Sequence, residues 1–273
     1  MVLEAERWGL PVTLDLDEGY WHLHHPEQPW DRDRLASAWD IPACKAQIWS
    51  FCNSSNLQLL SNPQLHLGIA EAQWAGRGRR GRTWHSPYGR HLYLSVAVTP
   101  PVSAPGTLPL VAALGVFLVL REWIPDLWVK WPNDLWVGQR KLGGVLMEGR
   151  RQGAQQRWVL GLGINVLEDV ALPDSAVCLA RLGVSWTRRE LADLVLRQWQ
   201  ADFALLEGGG FDEFTDRWNA ADRLSGKPAT ICQEGEERQI IALGVTSDGR
   251  LLIQEGQHKR LVSAGDIRIR PLP

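Results

Sequence analysis

From position 76 the chain runs Gly76-Arg77-Gly78-Arg79-Arg80-Gly81-Arg82-Thr83-Trp84, with four arginines and three glycines in its first seven places. Glycine permits positive φ and a close backbone approach, so successive N–H groups can line a concavity. Guanidinium forks add charge-assisted, often bidentate bonds to carboxylate or phosphate. No hydrophobic face is served by this spacing. Two readings fit: an anion-catching loop, or a solvated basic run that keeps the surface soluble. Gly76-x-Gly78-x-x-Gly81 also matches the dinucleotide fingerprint, but that motif needs a helix at its last glycine and an acidic residue about 20 positions on. Here a turn-rich stretch through Ser86-Pro87-Tyr88-Gly89 follows, and position 101 is Pro101, so the fingerprint is rejected. No Gly-Lys-Ser/Thr closes the run, which excludes a P-loop.

Two more stretches carry groups fit for chemistry. Lys130-Trp131-Pro132-Asn133-Asp134 leads into Leu135-Trp136-Val137, and after a Val137-Gly138-Gln139 turn comes Arg140-Lys141-Leu142-Gly143-Gly144. This pattern predicts a hairpin with Asp134 and Lys141 near opposite arms. The glycines beside Lys141 leave bare backbone for a ligand. The plainer alternative is a charged hairpin tip whose Lys and Asp pair in solvent. Gly161-Leu162-Gly163-Ile164-Asn165 ends a strand in glycine-rich fashion, as a backbone wall against a flat ligand or as a tight strand terminus.

The elements that must position these groups alternate from about Ala43 to Ala221. Strands are expected at Gln47 to Cys52, Leu65 to Trp74, Leu92 to Val98, Trp128 to Lys130, Asp134 to Val137, Gly144 to Glu148 and Trp158 to Ile164. Helices are expected at Ser55 to Leu60, from a Thr107 cap to about Trp123, and at Arg188 to Glu207 and Phe211 to Ala220. Five short alternating strands then follow between Glu-Gly and Asp-Gly turns: Ala229 to Cys232, Gln239 to Val245, Leu251 to Gln254, Lys259 to Ser263 and Ile267 to Arg270. They predict a small β-barrel. Residues 1–40 hold nine acidic residues against three arginines, with a hairpin and linker marked by Gly19-Tyr20 and Pro26 to Pro29. The expected division is a short extension at 1–40, a catalytic domain at 41–221 and a barrel at 222–273.

Composition excludes some classes. At 273 residues and 45% hydrophobic content the chain can bury a large core. Its net charge of -2 gives no global pull toward nucleic acid or anionic membrane. Only five residues are lysines, so Lys130 and Lys141 stand out. Four cysteines without C-x-x-C spacing and no signal peptide point to a reducing, cytoplasmic setting. The longest apolar run, 108–120, is too short to span a bilayer. His22-x-His24-His25 lacks the further ligands a metal site needs, so no metal-ligating residues are assigned.

Taken together, Ser54-Ser55-Asn56, the arginine loop with Trp84 and Ser86-Pro87, Lys130-Trp-Pro-Asn-Asp134, Arg140-Lys141-Leu-Gly-Gly144 and Gly161-Leu-Gly-Ile-Asn165 resemble, in order and rough spacing, the biotin protein ligases. The resemblance spans about residues 45 to 270. It implies an α/β (α+β) mixed-sheet catalytic domain of the biotin/lipoate ligase type followed by an SH3-like barrel. It also implies dependence on ATP and Mg2+, a biotinyl-5′-adenylate intermediate, and transfer of biotin to a biotin carboxyl carrier protein of acetyl-CoA carboxylase. By the same resemblance Lys141, Asp134 and Arg79 are catalytic. Ser54, Ser55, Asn56, Gln73, Gly76, Arg77, Gly78, Arg80, Lys141 and Gly144 bind biotin, and Arg79, Arg82, Trp84, Lys141, Asn165 and Arg270 bind ATP, with Asp266 nearby. A lipoate or other acyl-carrier ligase of the same superfamily is the alternative.

The sequence departs from the family pattern at Ser55, in place of the usual threonine, at Gly143, in place of alanine, and at His85, in place of an apolar residue. Regulatory members carry a winged helix-turn-helix, and residues 1–40 resemble only its final wing hairpin, from Trp8 to Trp21. No DNA binding is therefore expected, and no membrane association.

Overall fold

The computed structural model describes residues 12–14, 21–23, 29–101, 104–152, 155–233, 236–264 and 267–271, with backbone alone for 12–14, 21–23, 152, 155 and 267–271. Two short strands, β1 (Val12–Leu14) and β2 (Trp21–Leu23), pair antiparallel, which gives the hairpin expected near Gly19-Tyr20. His24 and His25, of the histidine run to which no metal is assigned, lie outside the described residues, as does Asp266.

The chain divides into two compact units that cut across its linear order. One holds residues 1–98 and 146–197, the other 99–145 and 198–273. In the first unit helix α1 (Arg32–Ala38) buries Leu35, Ala36 and Ala38, and the Asp31 side chain caps it by accepting the Arg34 N–H at 3.0 Å. Acidic composition hid this helix, although Asp31 is an ordinary N-cap signal. The parallel pair β3 (Ala46–Cys52) and β4 (Leu67–Gln73) is joined by helix α2 (Ser55–Ser61), and β5 (Leu92–Val98) runs antiparallel to β4. Every residue of β4 is buried, as a near-continuous apolar run demands of a strand covered on both faces.

Strands β6 (Leu127–Lys130), β7 (Asp134–Val137), β8 (Arg140–Gln152) and β9 (Gln155–Ile164) complete a seven-stranded mixed sheet in the order β3-β4-β5-β9-β8-β7-β6. Strand β8 starts at Arg140, four residues earlier than the sequence pattern marks, because its glycines break the alternation without breaking the ladder.

In the second unit helix α3 (Leu108–Leu120) is apolar nearly all round and buried. Thr107 does not cap it as expected: its hydroxyl donates to the Ala104 carbonyl at 2.7 Å instead. Helices α4 (Arg188–Gly209) and α5 (Asp212–Ala221) follow. A Thr187/Glu190 capping box opens α4, with the Glu190 carboxylate accepting the Thr187 N–H at 2.9 Å. Strands β10 (Lys227–Gln233), β11 (Glu236–Val245), β12 (Leu251–Glu255), β13 (His258–Val262) and β14 (Ile267–Pro271) form an all-antiparallel sheet, β13-β12-β11-β10-β14, from the five segments expected. This sheet is built into the second unit's core. The Trp131 indole N–H donates to the Gly249 carbonyl at 3.1 Å, and Asp222 bridges to Val129.

Candidate active site

Helix α2 opens on Ser54-Ser55-Asn56, all buried. Ser54 does not cap the helix through its hydroxyl, and its N–H donates to Asn53 Oδ1 at 2.6 Å. Ser55 donates its N–H to Gln73 Oε1 at 2.9 Å, and Gln73 Nε2 in turn donates to Ser86 Oγ at 3.0 Å. Ser95 Oγ stands 2.7 Å from both Ser55 Oγ and Asn56 Oδ1. Ser55 Oγ donates its own proton to Gln73 Oε1 at 3.1 Å, so the Ser95 hydroxyl is the donor toward Ser55 Oγ and Asn56 Oδ1. Asn56 Nδ2 donates to Glu148 Oε2 at 3.0 Å, and the other oxygen of Glu148 pairs with Arg77 Nε at 3.2 Å. A buried chain of hydroxyls and amides thus leads, through one carboxylate, to the first arginine of the loop.

The sequence did not mark Ser95 or Glu148. Ser95 carried a signal all the same: it is the one aliphatic hydroxyl within the apolar strand Leu92–Val98, where burial without a partner would cost free energy.

The loop holds its shape through its own backbone. Trp84 N–H donates to Gly76 O at 2.9 Å, Gly78 N–H to Arg82 O at 2.7 Å, and Arg77 bridges Thr83. A one-turn 3₁₀ segment at Arg79–Gly81 forms the tip, where Arg80 at φ 58° and Gly81 at φ 71° take left-handed conformations. Arg77, Arg80 and Arg82 are exposed and Arg79 is half-buried. Gly76 has no room for a side chain, since a Cβ there would lie 2.5 Å from Ser86 Oγ.

Of the two readings open for the glycine-rich end of β9, a backbone wall or a tight strand terminus, the close packing of side chains against its glycines fits the second better. A Cβ on Gly163 would lie 2.6 Å from Cε2 and Nε1 of Trp84, and one on Gly161 would collide with the Asn56 amide. These positions are empty of side chains because Trp84 and Asn56 lie against them. Asn165 is buried and donates to the Val177 carbonyl at 3.1 Å, which anchors the segment after β9. Beneath the site Glu71 and Arg188 form a buried ion pair, and burial pushes the Cys52 thiol up to about 12, leaving it inert at neutral pH.

In the second unit the expected hairpin is present, with a bulge between Leu135 and Trp136. Lys141 Nζ donates to Asp134 Oδ1 at 2.7 Å, with both side chains about a quarter to a third exposed at 30% and 26%. Gly144 faces Asp134 across the ladder, and a Cβ there would stand 2.8 Å from Asp134 Oδ1 and 3.3 Å from Lys141 Nζ. Gly144 therefore makes room for the ion pair. Lys130 is buried, its ammonium 4.1 Å from the centre of the Trp136 ring. Arg270 lies in β14 opposite Thr230, its side chain outside the described residues. Among the described residues no cluster of three or more His, Cys, Asp or Glu could hold a metal ion.

A buried polar wall thus runs to a folded arginine loop within a mixed-sheet α/β unit. The pattern described as the biotin/lipoate A/B protein ligase family matches residues 47–165. The chain is 33% identical over 276 residues to the bifunctional ligase/repressor BirA of Salmonella typhimurium, covering 96% of this chain and 85% of that protein. It is 33% identical over 209 residues to the biotin--[acetyl-CoA-carboxylase] ligase of Mycobacterium tuberculosis, covering 73% and 77%. The biotin protein ligase from Aquifex aeolicus in complex with biotin and ATP superposes with a TM-score of 0.73 at 25% identity, over 84% of this chain and 99% of that one. The chain belongs to the biotin protein ligases.

Proposed function

We propose that the protein is an ATP-dependent biotin protein ligase that forms biotinyl-5′-AMP and transfers biotin to a lysine of a biotin carboxyl carrier protein. The observation that carries this reading is the buried chain from Ser55 and Gln73 through Ser95 and Asn56 to Glu148 and Arg77. A urea ring presents N–H donors and a carbonyl acceptor that such a wall can match, whereas a dithiolane ring presents neither, so the chain favours biotin over lipoate. The family relatives, among them the acetyl-CoA-carboxylase ligase, support the same choice.

In the reaction proposed, an oxygen of the biotin carboxylate attacks the α-phosphorus of ATP and pyrophosphate leaves. The ε-amine of the acceptor lysine then attacks the acyl carbon, AMP leaves, and the amine gives up a proton. The first step brings two anions together, so cations near the reacting atoms lower its barrier most. Arg77, Arg79 and Arg82 are assigned to the anionic groups, and Lys141 to the carboxylate and α-phosphate. Asp134 is assigned to orient the incoming amine and take its proton. Trp84 and Asn165 are assigned to the nucleotide, with Arg270, and Ser54, Gly76, Gly78, Arg80 and Gly144 to the biotin side. Magnesium would enter with ATP, held by phosphate oxygens and water rather than by a protein cage, and would neutralise phosphate charge there.

A cytoplasmic setting is proposed from the cysteine pattern; no helix among the described residues is long and apolar enough to cross a membrane. We expect no repressor role, since residues 1–40 carry nine acidic groups against three arginines where phosphate contacts would need the reverse. Anisotropy titration of duplex DNA at about 0.15 M salt, where weak surface attraction is screened, checks this. Submicromolar sequence-selective binding by the ligand-bound protein would overturn it. The ligase assignment is tested by incubating a carrier domain with the protein, ATP, magnesium and either biotin or lipoate. Mass spectrometry should find one biotinyl group on lysine; a lipoyl group instead would select the alternative.

A further inference from the structure

His85 follows Trp84 directly and has no role in the chemistry above. Its Nε2 lies 2.8 Å from Asp169 Oδ2, and the same oxygen is 3.4 Å from Nε2 of His91, which is fully buried. The Val166 N–H donates to His91 Nδ1 at 3.3 Å, so that nitrogen carries a lone pair and Nε2 carries the proton toward Asp169. Burial holds the His91 pKa below its ordinary value and so keeps the ring neutral. The second oxygen of Asp169 accepts the Ala171 N–H at 2.9 Å. The close approach of His91 Nε2, with the hydrogen bonds from Ala171 and His85, holds the Asp169 carboxyl well below the usual range, so it stays ionised at every working pH.

The base of this cluster is firm. Leu167 N–H donates to Arg90 O at 2.9 Å, Leu179 N–H to Asn165 O at 3.1 Å, and Ala180 N–H to Val166 O at 2.9 Å, tying the segment after β9 down on both sides of Asp169. The other end reaches the loop: one peptide from His85, Trp84 closes the arginine loop through Gly76 O and lies flat against Gly163 of β9. An exposed His–Asp pair is ordinarily worth little. This one ends on a carboxylate only 10% exposed and backed by a buried imidazole, which gives it leverage.

We infer that His85 and Asp169, backed by the buried imidazole of His91, form a strut that positions Trp84 and the C-terminal root of the arginine loop, so that His85 is a positioning residue for the nucleotide. The link to the nucleotide rests on the ligase reading above. The link to the loop does not.

Two readouts on the full-length protein separate these claims. Replacing His85→Leu removes the donor, while His85→Gln keeps one, since the glutamine Nε2 reaches about where the imidazole Nε2 stands. Amide hydrogen exchange at Gly78 and Trp84 should rise about tenfold in H85L and return to the wild-type rate in H85Q. KM for ATP should rise about tenfold in H85L, with kcat and KM for biotin within about twofold of wild type, and H85Q should recover it. Asp169→Ala should match H85L, and the double variant should be no worse than either alone, as for one shared interaction. Wild-type exchange at both amides in H85L would sink the strut. Equal rises in KM for ATP and biotin would reduce it to general loosening and overturn the nucleotide role. A wild-type protein that makes no biotinyl-AMP would instead defeat the ligase reading, and the exchange comparison would still decide the strut.

Discussion

Lys141 is the residue on which the activation step depends most. Its ammonium is held 2.7 Å from Asp134 in a pocket that exists because position 144 has no side chain. The pair is partly exposed, so its loss should change folding little. Replacing Lys141→Gln removes a cation from charge that develops between carboxylate and phosphate. Single-turnover formation of biotinyl-AMP is expected to fall by at least about two orders of magnitude with the melting temperature nearly unchanged. A rate within about tenfold of wild type would remove Lys141 from this role. At this scale the sequence was informative where residue type implied chemistry: the arginines, Lys141 and Asp134 were marked by charge and glycine context alone. Ser95 and Glu148 were not, because their importance comes from neighbours 40 and 92 positions away rather than from anything beside them in the chain.

Among the elements, strand β9 and the join between α5 and β10 carry the clearest consequences. Gly163→Ala would put a methyl 2.6 Å from the Trp84 indole, so the ring or the strand must move. Overpacking of this kind costs about 1 to 3 kcal/mol. The expected result is a lower melting temperature together with a KM for ATP raised about tenfold, against little change for biotin. Asp222 ends α5 with one carboxylate oxygen accepting the Leu224 N–H at 2.9 Å and the other buried without a hydrogen-bond partner. Burial pushes its pKa up to about 7, against the pull of Leu224 N–H and Lys130. Between about pH 4 and 7 the folded protein keeps a proton that the unfolded chain has released, so stability falls as pH rises through that window. Asp222→Asn should therefore gain on the wild type as pH goes from 5 to 8, by at most about 3 kcal/mol. Thermal melts across that range check it, and a constant difference would mean the carboxyl titrates normally. Strand and helix positions were legible because alternation and 3.6-residue periodicity survive burial. The Thr107 cap and the start of β8 were misjudged because a hydroxyl chose another carbonyl and because glycines break the alternation of β8 without breaking its ladder.

For the whole molecule, the linear division at 222 marks a change of strand grammar, and we expect the sheet beyond it not to be a separable body. The C-terminal sheet supplies Gly249 O to the Trp131 indole and backs Thr107 and Leu110 of α3 with the same glycine, and Asn219 of α5 accepts the Val245 N–H at 2.7 Å. Removing residues 222–273 should thus expose buried faces of α3 and β6 and leave the second unit without its core. A truncated protein is expected to lose its near-ultraviolet circular dichroism and aggregate, and one that melts as cooperatively as the full chain would show the sheet to be an independent module. Alternating strands between turn glycines announced the sheet plainly. Its docking was illegible, because a Trp131 to Gly249 bond spans 118 residues and depends on shape rather than on composition.

Trp84 and Gly163 share a single volume, and that has a consequence for descent. Position 163 is not free to drift first: a side chain gained there while the indole remains has nowhere to go, whereas an indole lost at 84 leaves a gap that 163 can later fill. The permitted order of substitution is therefore large to small first, small to large second. Relatives bearing anything bulkier than glycine at the position of 163 should carry a smaller residue at that of 84, so that the two are inherited as one character.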